Sequence, residues 1–581
     1  MRLLDRIFDW IRAASIHRWF WLGGPLLLYC WTVTGPFISD DLHLVLKSER
    51  YLRGETTDHE LYRFAKSDEG WNELRNRGTC PWWLPERGRL DFFRPLSEIS
   101  FLFDVWLFGR NVVGHRVVSL LFFSFALLYV HRLYRSASGD TIRAGAATFF
   151  FGISQAVTPP VTWLCNRNDL IVVIGASLAG SAYWSACRRP RALHIIVAIT
   201  GFGAALCAKE IGVALGAVII VHELITRRQR ETRWDRPMAG LIAGLLLVMT
   251  VGYLVFYQRT RPWLFDSSGS DGVTNQMDWR WPLSLLQYSA VWTLGYPIDV
   301  LLVAPPWQSL VISVCGGLGA VIAIWYLLKS TRGEKAACFF ALWAVFFILP
   351  GMRAVTASSR TLCTATIGWS YLVTSLIVPT REVDAVMPSI LRHLYYAANG
   401  VVSIGCAIGT VLFMNHSELQ AQAMVRKIVG ACSQPLRDGH AIIAAQAGSP
   451  VENICGADRL EFMTRLRNVA FVHLLPPDIE ATFEVQDDRT ALLMARDRSL
   501  FGSPLHALTL PKNYRPQLGQ RFRLRDFTVE IAEMRDDDFV AAMRLRFDEP
   551  LDSPCLHFYP PPLNALAKSG ARYRAVDAKG S

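Results

Sequence analysis

Long apolar blocks recur along the first 415 residues, and no other feature restricts the fold of this chain as strongly. The first block begins at Trp19 and reads WFWLGGPLLLYCWTVTGPFI. About 20 consecutive apolar residues are what an α-helix needs to cross the hydrocarbon of a bilayer. The 581 residues are 51% hydrophobic and 19% charged, which is too apolar for one soluble core. We therefore predict an α-helical, multi-pass membrane protein.

Eleven stretches of membrane-crossing length are predicted, and the charges between them suggest their orientation. Lys and Arg are concentrated in alternate short connections, which the positive-inside rule assigns to the cytoplasm. Residues 1–18 contain four arginines and lack the cleavage site of a signal peptide, so they are predicted to be a cytoplasmic N-terminus. The predicted spans lie near residues 19–38, 114–130, 144–160, 170–186, 193–208, 211–225, 238–257, 308–328, 336–350, 361–378 and 393–414.

One apolar stretch does not fit this alternation. Residues 259–307 include Pro297, Pro305 and Pro306 together with Asp299. If this stretch crossed the membrane, the basic loop KSTRGEK would lie outside, against the positive-inside rule. We therefore predict a re-entrant or interfacial segment on the outer side.

The domain prediction follows from the odd number of spans. Residues 19–415 form a membrane domain that includes the first outer loop, 40–112, whose aromatic and leucine-rich second half is typical of helices at the membrane interface. Residues 416–581 lie outside the cytoplasm. There ATFEV, TALLMAR, FRLRDFTVEIAEM and FVAAMRLRFD alternate with period two, which predicts a small, mostly β domain preceded by a helix near SELQAQAMVRKIV.

Charge and cysteines exclude some functions. The formal net charge is +11, but much of the excess lies in short loops where it sets topology, so no nucleic-acid partner is needed. The twelve cysteines include no CxxC pair, and no His and Cys spacing is typical of a metal site. Cys432 and Cys455 are close enough in sequence to form a disulfide outside the cytoplasm, with free thiols as the alternative.

Polar residues of the apolar region share one side of the membrane under this topology. An ionisable side chain at bilayer depth is a functional-site candidate. Each has a structural alternative, such as a solvated helix end, a snorkelling headgroup anchor or an ordinary turn. The residues on the outer side are Asp40, Asp41, Arg94, His115, Asn166, Arg167, Asn168, Asp169, Lys209, Glu210, Arg353 and Arg360.

Acids and fixed cations at headgroup level suit a reaction on a lipid-linked phosphate. A carboxylate takes a proton from an acceptor hydroxyl, and Arg or Lys stabilises the phosphate that leaves. No GxxxxGK[ST] loop for a nucleotide is present. The pattern predicts transfer from a lipid carrier on the side facing away from the cytoplasm.

At these residues the chain resembles membrane glycosyltransferases of the GT-C type over about residues 19–415. The resemblance is closest to the branch of tetratricopeptide-linked transmembrane O-mannosyltransferases, without their repeats. The motifs that carry it are SDDL, FRPLSEISF, GRNVVGHRVVSLL, WLCNRNDLIVVIGASLA, CAKEIG and SSRTLCTATIGWSYL.

The resemblance implies an inverting transfer of a sugar from a polyprenyl-phosphate carrier, such as undecaprenyl phosphate, to an acceptor hydroxyl. Asp40 would be the base, and Asp41 would assist it or contact the acceptor. By position, the donor phosphate would be bound by Arg94, Arg360, Lys209 and Arg167. The substrate pocket would include His115, Asp169, Glu210 and Trp163.

Two other functions fit the same sequence features. A ligase for lipid-linked oligosaccharides would share the architecture, and a transporter or flippase of lipid-linked sugar would also place charges in spans. No cofactor is expected, although the acid pair is an alternative site for a divalent cation. The expected partners are the lipid-linked sugar donor, a glycan, lipid or protein acceptor, and membrane lipid. The preference for Arg over Lys favours a bacterial inner membrane, with residues 416–581 in the periplasm.

Overall fold

The structure is a computed structural model, and it describes most of the chain. The described residues are 13–84, 86–228, 237–261, 281–297, 306–331, 334–350, 359–377, 388–432, 435–446, 455–476, 479, 481–496, 498–502, 506, 515–536, 539–559 and 572–574.

Helices make up most of the chain before residue 432. The α-helices are Gly24–Tyr29, Asp40–Leu52, Asp68–Arg77, Pro95–Phe108, Val112–Ser138, Thr141–Ile153, Thr158–Thr162, Asn168–Arg188, Ala192–Ala208, Ala214–Arg228, Pro237–Thr260, Trp281–Leu294, Pro306–Ser330, Lys335–Ile348, Cys363–Ile377, Ser389–Ala397, Ser403–Ala431 and Gly456–Thr464. Short 3₁₀ segments are Cys30–Thr34, Gln155–Val157, Leu164–Arg167, Glu210–Val213 and Ser359–Leu362, and π segments are Trp19–Gly23 and Ala398–Val402.

Within the described residues, five helical stretches are long and apolar enough to cross a membrane: Val112–Ser138, Leu164–Arg188, Pro237–Thr260, Trp307–Lys329 and Ile390–Ala431. Three further apolar helices, Thr141–Ile153, Ala192–Ala208 and Lys335–Ile348, are shorter. All eight overlap predicted spans. The fold class, a helical membrane-type protein with a strand-rich C-terminal region, is thus confirmed, while the number of eleven spans stays a prediction.

The first predicted span, 19–38, is not one regular helix. It consists of a π segment, the helix Gly24–Tyr29 and a 3₁₀ segment that ends at Thr34. Pro25 lies in the first turn of the middle piece, where its missing N–H removes no helical hydrogen bond. Helical structure therefore stops before the acid pair.

The predicted re-entrant segment, 259–307, lies largely outside the described residues. Its described part forms the helix Trp281–Leu294, which packs closely on Pro306–Ser330. A Cβ added at Gly316 would lie 2.5 Å from the Ala290 Cα. The lack of a side chain at this position lets the two backbones approach each other.

The chain divides into two compact units. Unit 1 comprises Met1–Gly35, Phe93–Ser267 and Asn275–Phe413, and unit 2 comprises Pro36–Phe92, Ser268–Thr274 and Met414–Ser581. The core of unit 1 is built from side chains such as Phe123, Phe151 and Phe340, which are 2% exposed or less. Buried polar tips in this core bond to main-chain oxygens, as when Trp343 Nε1 donates to Thr364 O at 2.8 Å.

Unit 2 contains the predicted β structure. Strands β5 (Ala481–Val485), β6 (Thr490–Ala495), β7 (Arg521–Arg523), β8 (Phe527–Asp536) and β9 (Phe539–Phe547) coincide with the four alternating stretches, so this prediction is confirmed. With β11 (Arg572–Arg574) they form an antiparallel sheet in the order β11-β5-β6-β9-β8-β7. In β6 the alternate residues Ala491, Leu493 and Ala495 are buried, as period-two patterning requires.

A second, parallel sheet in unit 2 was not predicted. It has the order β10-β3-β4, with β3 at Ala441–Gln446, β4 at Ala470–Leu475 and β10 at Leu556–Tyr559. Every residue of β4 is buried, so these strands lack the alternation of a half-exposed strand. The helix Gly456–Thr464 lies between β3 and β4 along the chain.

Part of the first outer loop belongs to the same unit as the C-terminal strands. Its hairpin strands are β1 (Arg63–Ala65) and β2 (Leu90–Asp91). Trp82 and Trp83 are 2% and 0% exposed in the core formed by β3 to β9, and Trp82 Nε1 donates to Leu474 O at 3.1 Å. A Cβ at Gly78 would lie 1.8 Å from Phe471 O. The predicted domain 19–415 had grouped this loop with the membrane helices.

The prediction of interfacial helices in the outer loop is therefore wrong for the tryptophan pair, because both rings are core residues of unit 2. The helix Pro95–Phe108 in unit 1 does expose large apolar side chains, among them Phe103 at 54% and Trp106 at 67%. Cys432 and Cys455 are both free thiols, so the alternative without a disulfide holds.

Candidate active site

The predicted site residues fall into the two units. Asp40 and Asp41 belong to unit 2, whereas Arg94, His115, Trp163, Arg167, Asp169, Lys209, Glu210 and Arg360 belong to unit 1. Each group is described within its own unit.

In unit 2 the acid pair begins the helix Asp40–Leu52. Asp41 is fully buried, and its Oδ2 accepts the Ile38 N–H at 3.0 Å. Asp40 is partly exposed. Both carboxylates lie in the first turn, where the helix dipole favours negative charge. The two acids thus differ: Asp41 closes the turn that presents Asp40.

The residue before the pair has an unusual backbone. Ser39 has φ +50° and ψ −116°, a conformation that costs a residue with a side chain on the order of 1–3 kcal/mol. Its N–H donates to Glu418 Oε2 at 3.3 Å, and its Oγ lies 3.9 Å from Cys455 Sγ. Cys455 has φ +58° and directly precedes the helix Gly456–Thr464. Two helices of unit 2 therefore begin at left-handed residues that touch each other.

A buried ion pair lies behind Ser39. Glu418 and Arg459 side chains are 0% and 1% exposed, and Arg459 Nε and Nη2 donate to the two Glu418 oxygens at 2.8 and 2.9 Å. Burial raises the pKa of the Cys455 thiol, with the Asp458 and Asp40 carboxylates adding to the shift. The thiol therefore stays protonated and neutral.

The helix that carries Asp40 is also bound to the helix Gly456–Thr464 by charged contacts. His43 Nδ1 lies 3.3 Å from Asp458 Oδ1, and Arg50 donates to Glu461 at 2.5 Å. Burial would raise the pKa of Asp458, but His43 and Arg77 lower it below the usual range. The C-terminal region therefore holds the acid-bearing helix in place.

In unit 1 the turn Trp163–Asp169 is the centre of the charged residues. This turn enters the helix Asn168–Arg188 through a 3₁₀ segment. Trp163 contacts Arg360, Arg167 contacts Asp104, and Asp169 contacts Lys209. Arg167, Asn168 and Asp169 are each 3% exposed or less. One short turn thus contacts three further elements.

Lys209 and Glu210 connect this turn to Arg94. Lys209 Nζ donates to Asp169 Oδ2 at 2.7 Å. The next residue, Glu210, accepts from Arg94 Nη2 at 2.9 Å and from the Tyr257 hydroxyl at 2.9 Å. Tyr257 in turn accepts the Phe93 N–H at 3.1 Å. The helix ends just before Lys209, and the two neighbouring residues bind different partners: Lys209 binds Asp169, and Glu210 binds Arg94 and Tyr257.

Asp104 is the partner of two predicted site residues. Its Oδ2 lies 2.5 Å from Arg167 Nη1 and 3.6 Å from His115 Nδ1. His115 Nε2 donates to Gly109 O at 2.9 Å. His115 is fully buried, and its bond to Gly109 links it to the residues before the helix Val112–Ser138; its place in a substrate pocket stays a prediction.

Arg360 has a different environment. Its guanidinium lies over the Trp163 ring, and among the described residues no carboxylate forms an ion pair with it. Arg94, Lys209 and Arg167 do form ion pairs. Among these seven described side chains, four are basic and three are carboxylates.

Sequence reasoning missed Asp104, Tyr257, Glu418 and Arg459. Asp104 had a signal, because it is a single carboxylate within the apolar stretch SFLFDVWLF. Tyr257, Glu418 and Arg459 carried no such signal in the sequence, since their partners are distant along the chain. Arg353 lies outside the described residues. Within the described part of the chain, no group of three or more His, Cys, Asp or Glu is placed to hold a metal ion, and the role of a metal stays a prediction.

Several solved structures resemble this chain distantly, and three of them are described here. ArnT from Cupriavidus metallidurans bound to undecaprenyl phosphate is 13% identical, with a TM-score of 0.39 over 78% of this chain and 85% of that one. The apo state of the same protein is also 13% identical, with a TM-score of 0.42 over 78% of this chain and 84% of that one. The Archaeoglobus fulgidus oligosaccharyltransferase tethered with an acceptor peptide is 10% identical, with a TM-score of 0.37 over 79% of this chain and 64% of that one. No family profile and no curated protein matches the chain. The GT-C resemblance therefore rests on the sequence motifs.

Proposed function

We propose that this protein is an inverting glycosyltransferase that moves a sugar from a polyprenyl-phosphate carrier to an acceptor hydroxyl. It acts in a membrane, on the side away from the cytoplasm. In this proposal the basic side chains bind the lipid phosphate, and Asp40 is the base. The preference for Arg over Lys favours a bacterial inner membrane, and the basic short loops favour a cytoplasmic N-terminus.

The single observation that carries the proposal is the linked set of cations around the turn Trp163–Asp169. Arg94, Arg167 and Lys209 are each fixed by a carboxylate, and Arg360 is stacked on an aromatic ring. Fixed cations need no reorganisation when negative charge develops on a leaving phosphate. An apolar helical environment around them suits a lipid chain better than a soluble nucleotide.

Arg360 is the primary phosphate ligand in this scheme. The Arg360 guanidinium lies over the Trp163 ring, and among the described residues no carboxylate pairs with it, which suits bidentate binding of phosphate. Lys209 has further N–H donors besides the one that binds Asp169. Arg167 is 3% exposed, so it supports the turn and acts on phosphate through its charge.

The reaction is a single displacement. The acceptor hydroxyl transfers its proton to the Asp40 carboxylate while its oxygen forms a bond to the anomeric carbon. The bond from that carbon to the phosphate oxygen breaks, and the lipid phosphate leaves as an anion, which the cations stabilise. No acid is required for this leaving group, so one carboxylate suffices.

The test is transfer of a radiolabelled sugar by the purified full chain in sealed proteoliposomes. Synthetic polyprenyl-phosphate and polyprenyl-pyrophosphate sugars are offered as donors, with envelope extract as acceptor. Transfer from the monophosphate, lost in Asp40→Asn, supports the proposal. Transfer from the pyrophosphate alone indicates the oligosaccharide ligase, and movement of donor across the bilayer without transfer indicates a flippase.

A further inference from the structure

The turn that carries Asp40 is held by a residue nearly 380 positions later in the chain. Ser39 has φ +50°, a backbone conformation that side-chain-bearing residues rarely adopt. Its N–H donates to Glu418 Oε2. Because Asp40 is the next residue, any rotation at Ser39 redirects the start of the helix and the Asp40 carboxylate with it.

The Glu418 side chain is held in a fixed position. Its side chain is 0% exposed, and Arg459 donates to both of its oxygens at 2.8 and 2.9 Å. Gln422 Nε2 adds a contact to Oε1 at 3.3 Å. A bidentate Arg–carboxylate pair fixes both the distance and the orientation of the carboxylate. The oxygen that faces Ser39 therefore has a defined position.

We propose that the buried Glu418–Arg459 pair positions the proposed base: it holds Ser39 in its left-handed conformation and thereby sets the direction of the Asp40 carboxylate. The inference rests on the proposed function, in which Asp40 takes the acceptor proton. Neither Glu418 nor Arg459 touches the reacting atoms in this scheme, so both are positioning residues.

A purely structural role for the pair makes a different prediction. If Glu418 and Arg459 only held unit 2 together, their loss would lower the amount of folded protein and leave turnover per folded molecule unchanged. If they position Asp40, kcat falls in the folded fraction while KM for the lipid donor is retained. A misplacement of about 1 Å can cost about a hundredfold in rate.

The experiment compares Glu418→Gln with Glu418→Gln/Ser39→Gly. Glycine adopts positive φ without steric cost, so the acid turn no longer needs Glu418 to hold it. Because Arg459 donates to both oxygens of Glu418, an amide in its place must turn its N–H₂ group toward a donor, and the bidentate pair is lost. We therefore expect kcat of Glu418→Gln to fall at least about tenfold and the double variant to recover most of the loss. A double variant as inactive as Glu418→Gln would overturn the proposal, as would full activity of Glu418→Gln.

Glu530→Gln is the matched control. Glu530 is a carboxylate of unit 2 in β8, with a side chain 13% exposed that lies 3.3, 3.7 and 3.8 Å from nitrogens of Arg521, Arg544 and Arg546. These partners belong to the antiparallel sheet and not to the helix Asp40–Leu52. We expect Glu530→Gln to leave kcat of the folded protein unchanged, and an equal loss of kcat in Glu530→Gln would show that the effect is general to the unit.

A second variant covers the case in which Glu418→Gln does not fold. Glu418→Gln leaves Arg459 without the Glu418 charge, whereas Glu418→Leu/Arg459→Met removes both charges.

Hydrogen exchange tests the turn independently of activity. Exchange of residues 36–44, measured by mass spectrometry, is expected to rise in either variant and to return to the wild-type level when Ser39→Gly is added to Glu418→Gln. If exchange follows this pattern but the wild type transfers no sugar, the proposed function fails and the positioning of the turn stands. If exchange does not change, the positioning fails regardless of activity.

Discussion

The Arg360 guanidinium carbon lies 5.4 Å from the centroid of the Trp163 ring, and this pair sets the first prediction. Arg360→Ala removes the proposed phosphate ligand, so KM for the lipid donor should rise at least about tenfold, the loss typical of a hydrogen bond to a charged group. Arg360→Lys should recover only part, because an ammonium cannot bind bidentately or stack in the same way. Steady-state kinetics with varied donor measure this.

Lys329 offers a control for general effects of a cation on a ring. Its Nζ lies 4.5 Å from the Trp325 ring centroid, and neither residue belongs to the linked set around Trp163. Lys329→Ala should leave donor KM unchanged. A rise equal to that of Arg360→Ala would mean that the kinetics report on surface charge and not on a phosphate site.

The second prediction separates the two aspartates. Asp40→Asn should fold normally and lose about 10² to 10⁴ in kcat, the range for removal of a general base. Asp41→Ala leaves the Ile38 N–H without its carboxylate acceptor and should lower the free energy of unfolding by about 1–3 kcal/mol.

Asp41→Asn supplies the contrast within this pair. Its amide oxygen still accepts the Ile38 N–H, so it should remain stable and active. Thermal unfolding and transfer assays on the same preparations measure both properties. An inactive but stable Asp41→Asn would give Asp41 a chemical role beyond closing the turn.

The third prediction concerns Asp104, which sequence reasoning overlooked. Asp104→Asn leaves the buried Arg167 without its nearest negative charge, which typically costs about 3–5 kcal/mol. The double variant Asp104→Leu/Arg167→Met should regain most of that stability, yet bind the lipid donor less tightly because a cation is lost. If the double variant is as unstable as Asp104→Asn, the ion pair is not the main interaction at this position.

The fourth prediction is a pH dependence in the outer loop. Burial would raise the pKa of Asp58, but Lys47 and Lys66 lower it below its usual value. For Glu60 burial acts in the same way, and Lys66 and Arg63 again lower the pKa. A depressed carboxylate pKa stabilises the fold above the unfolded value of about 4, and this contribution is lost as the pH falls through the folded pKa.

Lys66→Met tests this linkage. Lys66 Nζ lies 3.1 Å from Asp58 Oδ1 and 2.8 Å from Glu60 Oε2. The variant should unfold at a lower temperature than the wild type at pH 7, and the difference should shrink as the pH falls through the lowered pKa values of Asp58 and Glu60 in the folded protein. A difference that is constant with pH would assign the effect to packing of the lysine stem.

Local patterns predicted much of this structure. Period-two alternation located β5, β6, β8 and β9 because one face of each strand is buried and the other is not. Apolar length located the long helices such as Val112–Ser138. Strands β3, β4 and β10 were missed since a strand buried on both faces has no alternation.

The site was predicted less completely, and the reason is distance along the chain. Asp40, Arg94, Lys209 and Arg360 were singled out as candidates because an ionisable residue beside an apolar span is unusual. Their partners lie far away along the chain, 116 residues in the case of Arg94 with Glu210. Trp82 looked like an interfacial residue because aromatics occur in both interfaces and cores.

The discontinuity of unit 2 has a consequence for how this protein is made. Pro36–Phe92 emerges first, but its packing partners begin at Met414, so about 320 residues are synthesised in between, which takes on the order of tens of seconds at about 5–20 residues per second. Throughout that interval Trp82 and Trp83 are without the strands that bury them. The nascent outer loop thus remains unassembled while the membrane helices insert, and a ribosome that stalls before the last strands leaves it exposed to chaperones and proteases.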